Sequence, residues 1–380
     1  MNIPISKPFI GNAELKAIQA PLKSGWLTQG PEVSAFEQEF GEYTGAKYAC
    51  AVSSCTAALF LALKTLGVGS GDEVITVSHS YIATANAIRY LGAIPVFVDI
   101  EPNTYNMNPK LIEAALSKKT KAILCVHQIG MPCDMNQIMP LAKRLNLPVV
   151  EDAACAIGSQ IRYKNNWIHI GKPMGDIVCF SFHPRKVLTT GDGGMLTTNN
   201  RAFDKRFRSL RQHGMSVSDT ARHVAKKVCV ETYEELGYNY RMTDLQASIG
   251  RVQLKKINTI IRQRRKLANQ YKAAFASNPG ITPQQEPDWA KSNWQSYCVQ
   301  LSKKINQKKI MTYLKSKGIA SKTGIMCAHR EPAYKIEPWK SKGLRISEYT
   351  QDHSILLPLF HELTGAQQKK VIRTLNAALV

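Results

Sequence analysis

Two neighbouring stretches, Ser181-Phe-His-Pro-Arg-Lys186 and Thr189-Thr-Gly-Asp-Gly-Gly-Met195, place a lysine in a loop between two apolar runs. The runs, Asp176-Ile-Val-Cys-Phe-Ser181 and Gly194-Met-Leu-Thr-Thr198, are short and β-rich, so each reads as a strand. The loop between them is rich in hydroxyls and glycines, and glycine lets a backbone approach a flat ligand closely. A lysine so placed can form a Schiff base with an aldehyde cofactor. Read locally, a surface lysine in a turn accounts for the same residues.

Outward from this loop, five more runs read as strands: Lys47–Val52, Glu73–Val77, Ile94–Asp99, Lys121–Val126 and Leu147–Asp152. Helices are predicted between them, over residues 56–66, 83–90 and 135–145. Short apolar runs separated by helices indicate a mostly parallel sheet buried on both faces, here of seven strands. That predicts a large α/β domain over residues 1–245. The pattern then changes to a long, increasingly basic helix over 243–275, a strand at Val299–Leu301 and helices at 308–317 and 365–379. Residues 246–380 are therefore expected to form a smaller α+β domain.

The chain has 380 residues, 44% of them hydrophobic, which is ample for two cores. No apolar run reaches the ~18–20 residues that a membrane span needs. Residues Met1–Pro8 lack the apolar core of a signal peptide, so a cytoplasmic location is expected. The nine cysteines form no C-x-x-C pair and read as reduced, mostly buried thiols, with no metal site among them. The net charge of +22 is scattered, densest over Arg262–Lys266, without a basic stripe of interleaved aromatics. Nucleic acid, a phosphorylated small substrate and simple solubility all account for that charge.

Three further segments lie at predicted strand ends, the edge where open α/β sheets bind ligands. Glu151-Asp152 ends one strand. Asp152 suits the carboxylate that pyridoxal 5'-phosphate (PLP) needs against its pyridine nitrogen, and equally an N-cap. Ser53-Ser-Cys-Thr-Ala-Ala58 lies at a strand-to-helix junction, where free N–H groups attract phosphate and ordinary capping also occurs. Tyr81 follows the next strand and suits either stacking on a ring or the core.

In that order, with Gly25-Trp-Leu-Thr-Gln-Gly-Pro31, Gly237-Tyr-Asn-Tyr-Arg-Met-Thr-Asp244 and Leu356-Leu-Pro-Leu359, the segments resemble the DegT/StrS-like nucleotide-sugar aminotransferases nearly end to end. The resemblance implies fold type I of the PLP-dependent transferases, and PLP as cofactor. Lys186 would hold the cofactor and shuttle the proton. Asp152 would pair with the pyridine nitrogen, and Tyr81 would cover the ring. Thr56, the Cys55 and Ala57 backbone, and Ser181 would hold the phosphate or the ring hydroxyl. Asn239 would reach the cofactor phosphate of a neighbouring subunit, which implies a homodimer with shared sites. Thr28, His183 and His329 become candidate substrate contacts, although His329 also fits a structural loop histidine. Two positions depart from the family pattern: Cys155 stands where many members carry glutamine near the ring, and Cys55 where glycine is common. Relatives that dehydrate sugars carry histidine in place of the lysine, so Lys186 implies transamination. The implied reaction moves an amino group from an amino acid, L-glutamate, to a nucleotide-linked 4-keto-6-deoxy sugar. A 3-keto sugar or keto-cyclitol acceptor and a non-catalytic regulatory relative stay open as alternatives.

Overall fold

A computed structural model describes residues 2–217, 222–223, 225–226 and 228–379. Three helices open the chain: α1 (Asn12–Ala17), α2 (Gln19–Ser24) and α3 (Pro31–Thr44). Then follow β1 (Tyr48–Val52), α4 (Cys55–Thr65), β2 (Glu73–Val77), α5 (Ala83–Arg89) and β3 (Ile94–Val98). The series continues with β4 (Thr120–Val126), α6 (Met135–Leu145) and β5 (Val149–Asp152). A hairpin of β6 (Gln160–Tyr163) and β7 (Asn166–His169) precedes β8 (Ile177–Ser181), β9 (Gly194–Thr198) and α7 (Arg201–Leu210).

Each of the seven expected strands is present, and the main sheet runs β1-β9-β8-β5-β4-β2-β3 with one addition. The pairs from β8 through β3 are parallel, and only β9 runs against its neighbours. The eighth strand, β14 (Lys340–Ser341), pairs parallel with β3 and arrives from far along the chain. Two residues carry no periodicity, so it could not be read from sequence. β2, β8 and β9 are buried at every position, as a sheet covered on both faces requires. Helix α4, Cys-Thr-Ala-Ala-Leu-Phe-Leu-Ala-Leu-Lys-Thr, is buried nearly all round between the sheet and its neighbouring helices.

β1 lies at an edge, pairing only with β9. Its outward backbone groups are capped by side chains. Glu37 Oε1 accepts the Ala51 N–H (2.8 Å), Arg208 Nη2 donates to the Ala49 carbonyl (2.7 Å) and Arg211 Nη1 to the Ala51 carbonyl (2.6 Å). Both guanidinium groups also bond Glu37, so α3, α7 and β1 share one buried ionic cluster. The cluster fixes the strand that delivers Ser53 and Ser54 to the site.

Helix α8 (Asp244–Phe275) begins with a reciprocal cap between Thr243 and Gln246, and Gln246 Nε2 also holds the Asp192 carbonyl of the glycine loop (2.9 Å). Asp244 accepts the Gly30 and Glu32 N–H groups (2.6 and 3.1 Å), so the start of one helix caps α3. Beyond α8 lie β10 (Ile281–Pro283), β11 (Ala290–Lys291), β12 (Tyr297–Leu301), α9 (Gln307–Ser316) and β13 (Lys322–Thr323). After β14 come α10 (Arg345–His353), β15 (Ser354–Leu357) and α11 (Gly365–Ala377). A four-stranded antiparallel sheet runs β10-β12-β15-β13. One face of it, with Tyr297, Val299, Ile355 and Leu357, packs on Leu267, Tyr271 and Phe275 of α8. From its other face Cys298 and Leu356 join the core of the main sheet.

Candidate active site

The site gathers at the C-terminal ends of β5 and β8 and the N-terminus of α4. Strand alternation sends the two acids of β5 to opposite faces. Glu151 turns inward, accepting from the Met174 and Gly175 N–H groups (3.1 and 2.8 Å) and meeting His127 Nε2 at 3.0 Å. The Cys133 N–H donates to His127 Nδ1 (2.9 Å), so that nitrogen is unprotonated and Nε2 donates to Glu151. Glu151 is therefore fully engaged in structure.

Asp152 faces the site, 4% exposed. Its Oδ2 accepts from Thr84 Oγ1 (2.8 Å) and its Oδ1 from the Ala154 N–H (3.1 Å). Ser80 Oγ stands 2.8 Å from Thr84 Oγ1 behind it. Burial pushes the Asp152 carboxyl above its ordinary range, against the opposing pull of Thr84, Ala154 and Lys186. Its partners thus undercompensate the buried charge, and a protonated pyridine nitrogen is a donor of the kind it lacks.

Lys186 Nζ lies 3.1 Å from Cys155 Sγ. Burial pushes the amine down, but Cys155 and the Asp152 carboxylate push it up further, so Lys186 stands above the usual lysine range. Cys55 is buried close by, its thiol pushed well up by burial and by Asp152. Cys55, Asp152, Cys155 and Lys186 form one cluster.

Ser54 caps α4, its Oγ accepting the Ala57 N–H (3.1 Å), so that donor is already taken. Among the described residues the Cys55 and Thr56 N–H groups have no such partner and point from a helix N-terminus, a natural phosphate cradle. Gly194 is what lets β9 press against it. A Cβ there would fall 2.5 Å from the Ser54 carbonyl and 2.7 Å from the Cys55 nitrogen. Ser181, at the end of β8, is nearly buried, and its Oγ accepts only a long contact from the His183 N–H (3.5 Å). These residues fit PLP: a carboxylate for the ring nitrogen, an amine for the aldehyde, open N–H groups for the phosphate.

Five expected residues stand outside the buried cluster of Cys55, Asp152, Cys155 and Lys186. Tyr81 is 70% exposed after β2. Thr28 is exposed and bridges to Thr243. Asn239 is exposed, its Oδ1 accepting from Arg241 Nε (3.1 Å). His329 is bolted in place, its Nδ1 2.6 Å from Ser78 Oγ and its Nε2 3.0 Å from Glu348 Oε1. His183 is exposed, accepting the Arg185 N–H at Nδ1 (3.2 Å), with its pKa lowered by burial and by the Lys186 and Arg185 charges against the pull of Asp192.

Sequence reasoning missed the clamp on the lysine loop. Gln295 Oε1 accepts the Val187 N–H (2.9 Å) and its Nε2 donates to the Arg185 carbonyl (2.5 Å), gripping the backbone on both sides of Lys186. Asn293 Nδ2 donates to the Cys155 and Ile157 carbonyls (both 2.8 Å). Arg264, buried in α8 and pushed down to about 10 by that burial, donates to the Trp294, Gln295 and Leu359 carbonyls. The stretch Ser292-Asn-Trp-Gln295 has no strand or helix period, and only its density of amides marked it.

Fold and site together define a PLP-dependent transferase of fold type I. A model of the DegT/DnrJ/EryC1/StrS aminotransferase family matches residues 8–376. The spore coat polysaccharide biosynthesis protein SpsC of Bacillus subtilis (strain 168) is 37% identical over 383 aligned residues, covering 98% of this chain and 96% of that one. Among solved structures, the aminotransferase TlmJ from Streptoalloteichus hindustanus superposes with a TM-score of 0.91 at 32% identity, covering 100% of this chain and 99% of that one. Helicobacter pylori PseC, an aminotransferase involved in the biosynthesis of pseudoaminic acid, gives 0.90 at 27% identity, with coverage of 100% and 99%. Another solved relative was determined in its PLP form. This chain belongs to the DegT/DnrJ/EryC1/StrS aminotransferase family, and is a PLP-dependent sugar aminotransferase.

Proposed function

We propose that the enzyme transfers an amino group from L-glutamate to a nucleotide-linked keto-sugar, a 4-keto-6-deoxy sugar, releasing 2-oxoglutarate and an amino sugar for polysaccharide or glycan synthesis. The observation that carries the reading is Lys186 beside Cys155 and the buried Asp152. A purely regulatory relative needs neither the amine nor the carboxylate.

Bound PLP supplies an electron sink for the carbon that gains or loses the amine. Asp152 would hold its ring nitrogen, Ser181 and the Cys55 and Thr56 N–H groups its phosphate or hydroxyl, and Cys155 would lie against the lysine. Lys186 Nζ removes the proton from the amino-bearing carbon of the donor. In the second half it delivers a proton to the acceptor carbon that receives the amine. The keto acid leaves before the keto-sugar binds, so the kinetics are ping-pong.

We further propose a cytoplasmic homodimer with shared sites and a division into large and small domains at residues 245/246. Val228, Val230 and Leu236 are 94%, 82% and 88% exposed, apolar area of the kind a second copy covers. Exposed Asn239 fits a site completed across that contact, and exposed Tyr81, three residues before the Thr84 that holds Asp152, fits the cover of the ring. No helix of the described residues is long and apolar enough to cross a membrane.

The test is an absorption spectrum of the purified protein with PLP, before and after glutamate. A band near the visible edge that moves to shorter wavelength on glutamate supports the reading, and keto-sugar profiling then fixes the acceptor. No band, even with added PLP, refutes it and brings the regulatory reading forward.

A further inference from the structure

Three helices cover one face of the C-terminal sheet. Leu267, Tyr271 and Phe275 of α8, Ile310 and Leu314 of α9, and Val371 and Leu375 of α11 share one core with that face. Gln368 Nε2 donates to the Leu267 carbonyl (2.7 Å) and Asn278 Nδ2 to Asn376 Oδ1 (2.9 Å), so α11 lies along the end of α8. Helix α9 packs beside α11. Helices laid on one face of a sheet turn their opposite sides to the same solvent, and the 3.6-residue period says what those sides carry. On α8 they carry Arg262 and Lys266, both exposed. On α9 they carry Lys308, Lys309 and Lys315, and on α11 Lys369, Lys370 and Arg373, again all exposed. Acids are missing from the same stretches, since residues 245–285, 289–330 and 363–380 include no Asp or Glu. The carboxylates that α8 does meet pair in its N-terminal half, Glu32 and Glu39 with Arg251 and Glu14 with Lys256. Among the described residues no ion pair reaches the outward cations.

Cations scattered along the sequence are thus gathered by the fold onto one face of a chain whose net charge is +22. Such a face repels a second copy of itself and attracts a polyanion. Its chemistry selects which one. Lysines outnumber arginines here, and a lysine is a compact, hydrated charge, not the planar fork that grips a single phosphate or a base edge. Unpaired bases need an aromatic platform. The aromatic that these faces expose among the described residues is Tyr313, 37% exposed, with Lys317 Nζ already over its ring at 5.5 Å. A duplex is read by a helix entering a groove, and helices packed side by side on a sheet do not enter one singly. An anionic bilayer makes neither demand, because its headgroups move in the plane and gather under the charges wherever the helices put them.

We infer that the outward faces of α8, α9 and α11 form a docking surface for an anionic phospholipid membrane. The enzyme rests on the headgroups, held by charge at the surface, whichever keto-sugar it aminates.

The experiment sediments the full-length PLP-loaded protein with vesicles of phosphatidylcholine alone, or of equal parts phosphatidylcholine and phosphatidylglycerol, at low and at high salt. The wild type is expected to bind the mixed vesicles, to ignore phosphatidylcholine and to be released by high salt. Each charge removed should weaken binding about fivefold. The triple variants Lys308→Gln/Lys309→Gln/Lys315→Gln and Lys369→Gln/Lys370→Gln/Arg373→Gln should therefore each lose about a hundredfold. A control triple, Lys118→Gln/Lys119→Gln/Lys121→Gln, removes the same charge from exposed positions around the start of β4 and should bind nearly as the wild type does. The absorption band of the lysine-bound cofactor, and its shift with glutamate, check that each variant keeps its fold and site. No binding of the wild type to the mixed vesicles overturns the inference. An equal loss in the control triple overturns it too, since net charge and not the face would then be the cause. So does tighter binding of a DNA duplex than of the mixed vesicles at equal phosphate concentration, lost in the same two variants, because the face would then serve nucleic acid.

Discussion

Lys186 carries two demands that its surroundings set against each other. It has to be a free amine to capture an aldehyde, yet Cys155 and Asp152 hold its proton on. Because the folded pKa is raised, the unprotonated fraction at neutral pH is small, and it grows about tenfold per pH unit below that pKa. Stopped-flow capture of PLP by the cofactor-free protein should therefore quicken as pH rises from 7 toward 9. A flat profile would contradict the assigned environment. Lys186→Ala should lower amino transfer about 10²–10⁴-fold, the range of general acid–base catalysis, in a coupled assay for 2-oxoglutarate. Wild-type turnover in that variant would remove Lys186 from the mechanism. Gln295→Ala strands the Val187 N–H and the Arg185 carbonyl, a cost of about 1–3 kcal/mol that a denaturant melt can read. PLP capture should slow with it. Of these residues the sequence marked Lys186, Asp152 and Cys155. It could not mark Gln295, Thr84 or Ser80, because an amide or a hydroxyl gains its role only from what folds against it.

At the scale of elements, strand β1 shows how the phosphate end of the site is held. Its outer backbone groups are buried under Glu37, Arg208 and Arg211 instead of another strand. Burial pushes the Glu37 carboxyl up, but the Arg211 and Arg208 charges pull it down and win. A depressed carboxylate contributes stability above its unfolded pKa and loses it as pH falls through the folded value. Wild-type protein should therefore lose thermal stability below about pH 4–5, and Glu37→Gln should flatten that loss. The same variant should be destabilised at pH 7 by about 3–5 kcal/mol, because the buried Arg211 guanidinium loses its anion, while the partly exposed Arg208 keeps Asp204. Unchanged melting at pH 7 would show the cluster to be dispensable. The periodic elements were legible: the apolar strands, α4, α6 and α8 lie where their runs of side chains put them. Helices α3 and α7, of 14 and 10 residues, went unread, and so did the short β13, β14 and β6–β7 hairpin, whose strands are two to four residues long. At that length pairing is decided by a neighbouring strand and not by the local pattern.

Across the whole molecule, the described chain leaves Val228, Val230 and Leu236 almost fully exposed, with Tyr81 and Asn239 also open to solvent. If a second copy covers them, Leu236→Glu should dissociate the protein in sedimentation and lower turnover together, with activity per mole rising again on mixing with wild type. Dissociation with full activity would leave the sites unshared. The sequence by itself determined the α/β class, the order of the main strands and the place of Lys186 and Asp152. Apolar strands of five residues and a lysine in a glycine loop are local patterns, and local patterns survive without a third dimension. Tertiary structure alone decided what holds each acid of Glu151-Asp152: His127 with the Met174 and Gly175 N–H groups for the first, Thr84 with the Ala154 N–H for the second. It also decided that Gln295 grips the lysine loop and that Asn293 holds the Cys155 carbonyl. Those residues are brought together by strand register, and register is fixed by the packing of two cores, which no single segment of the chain contains.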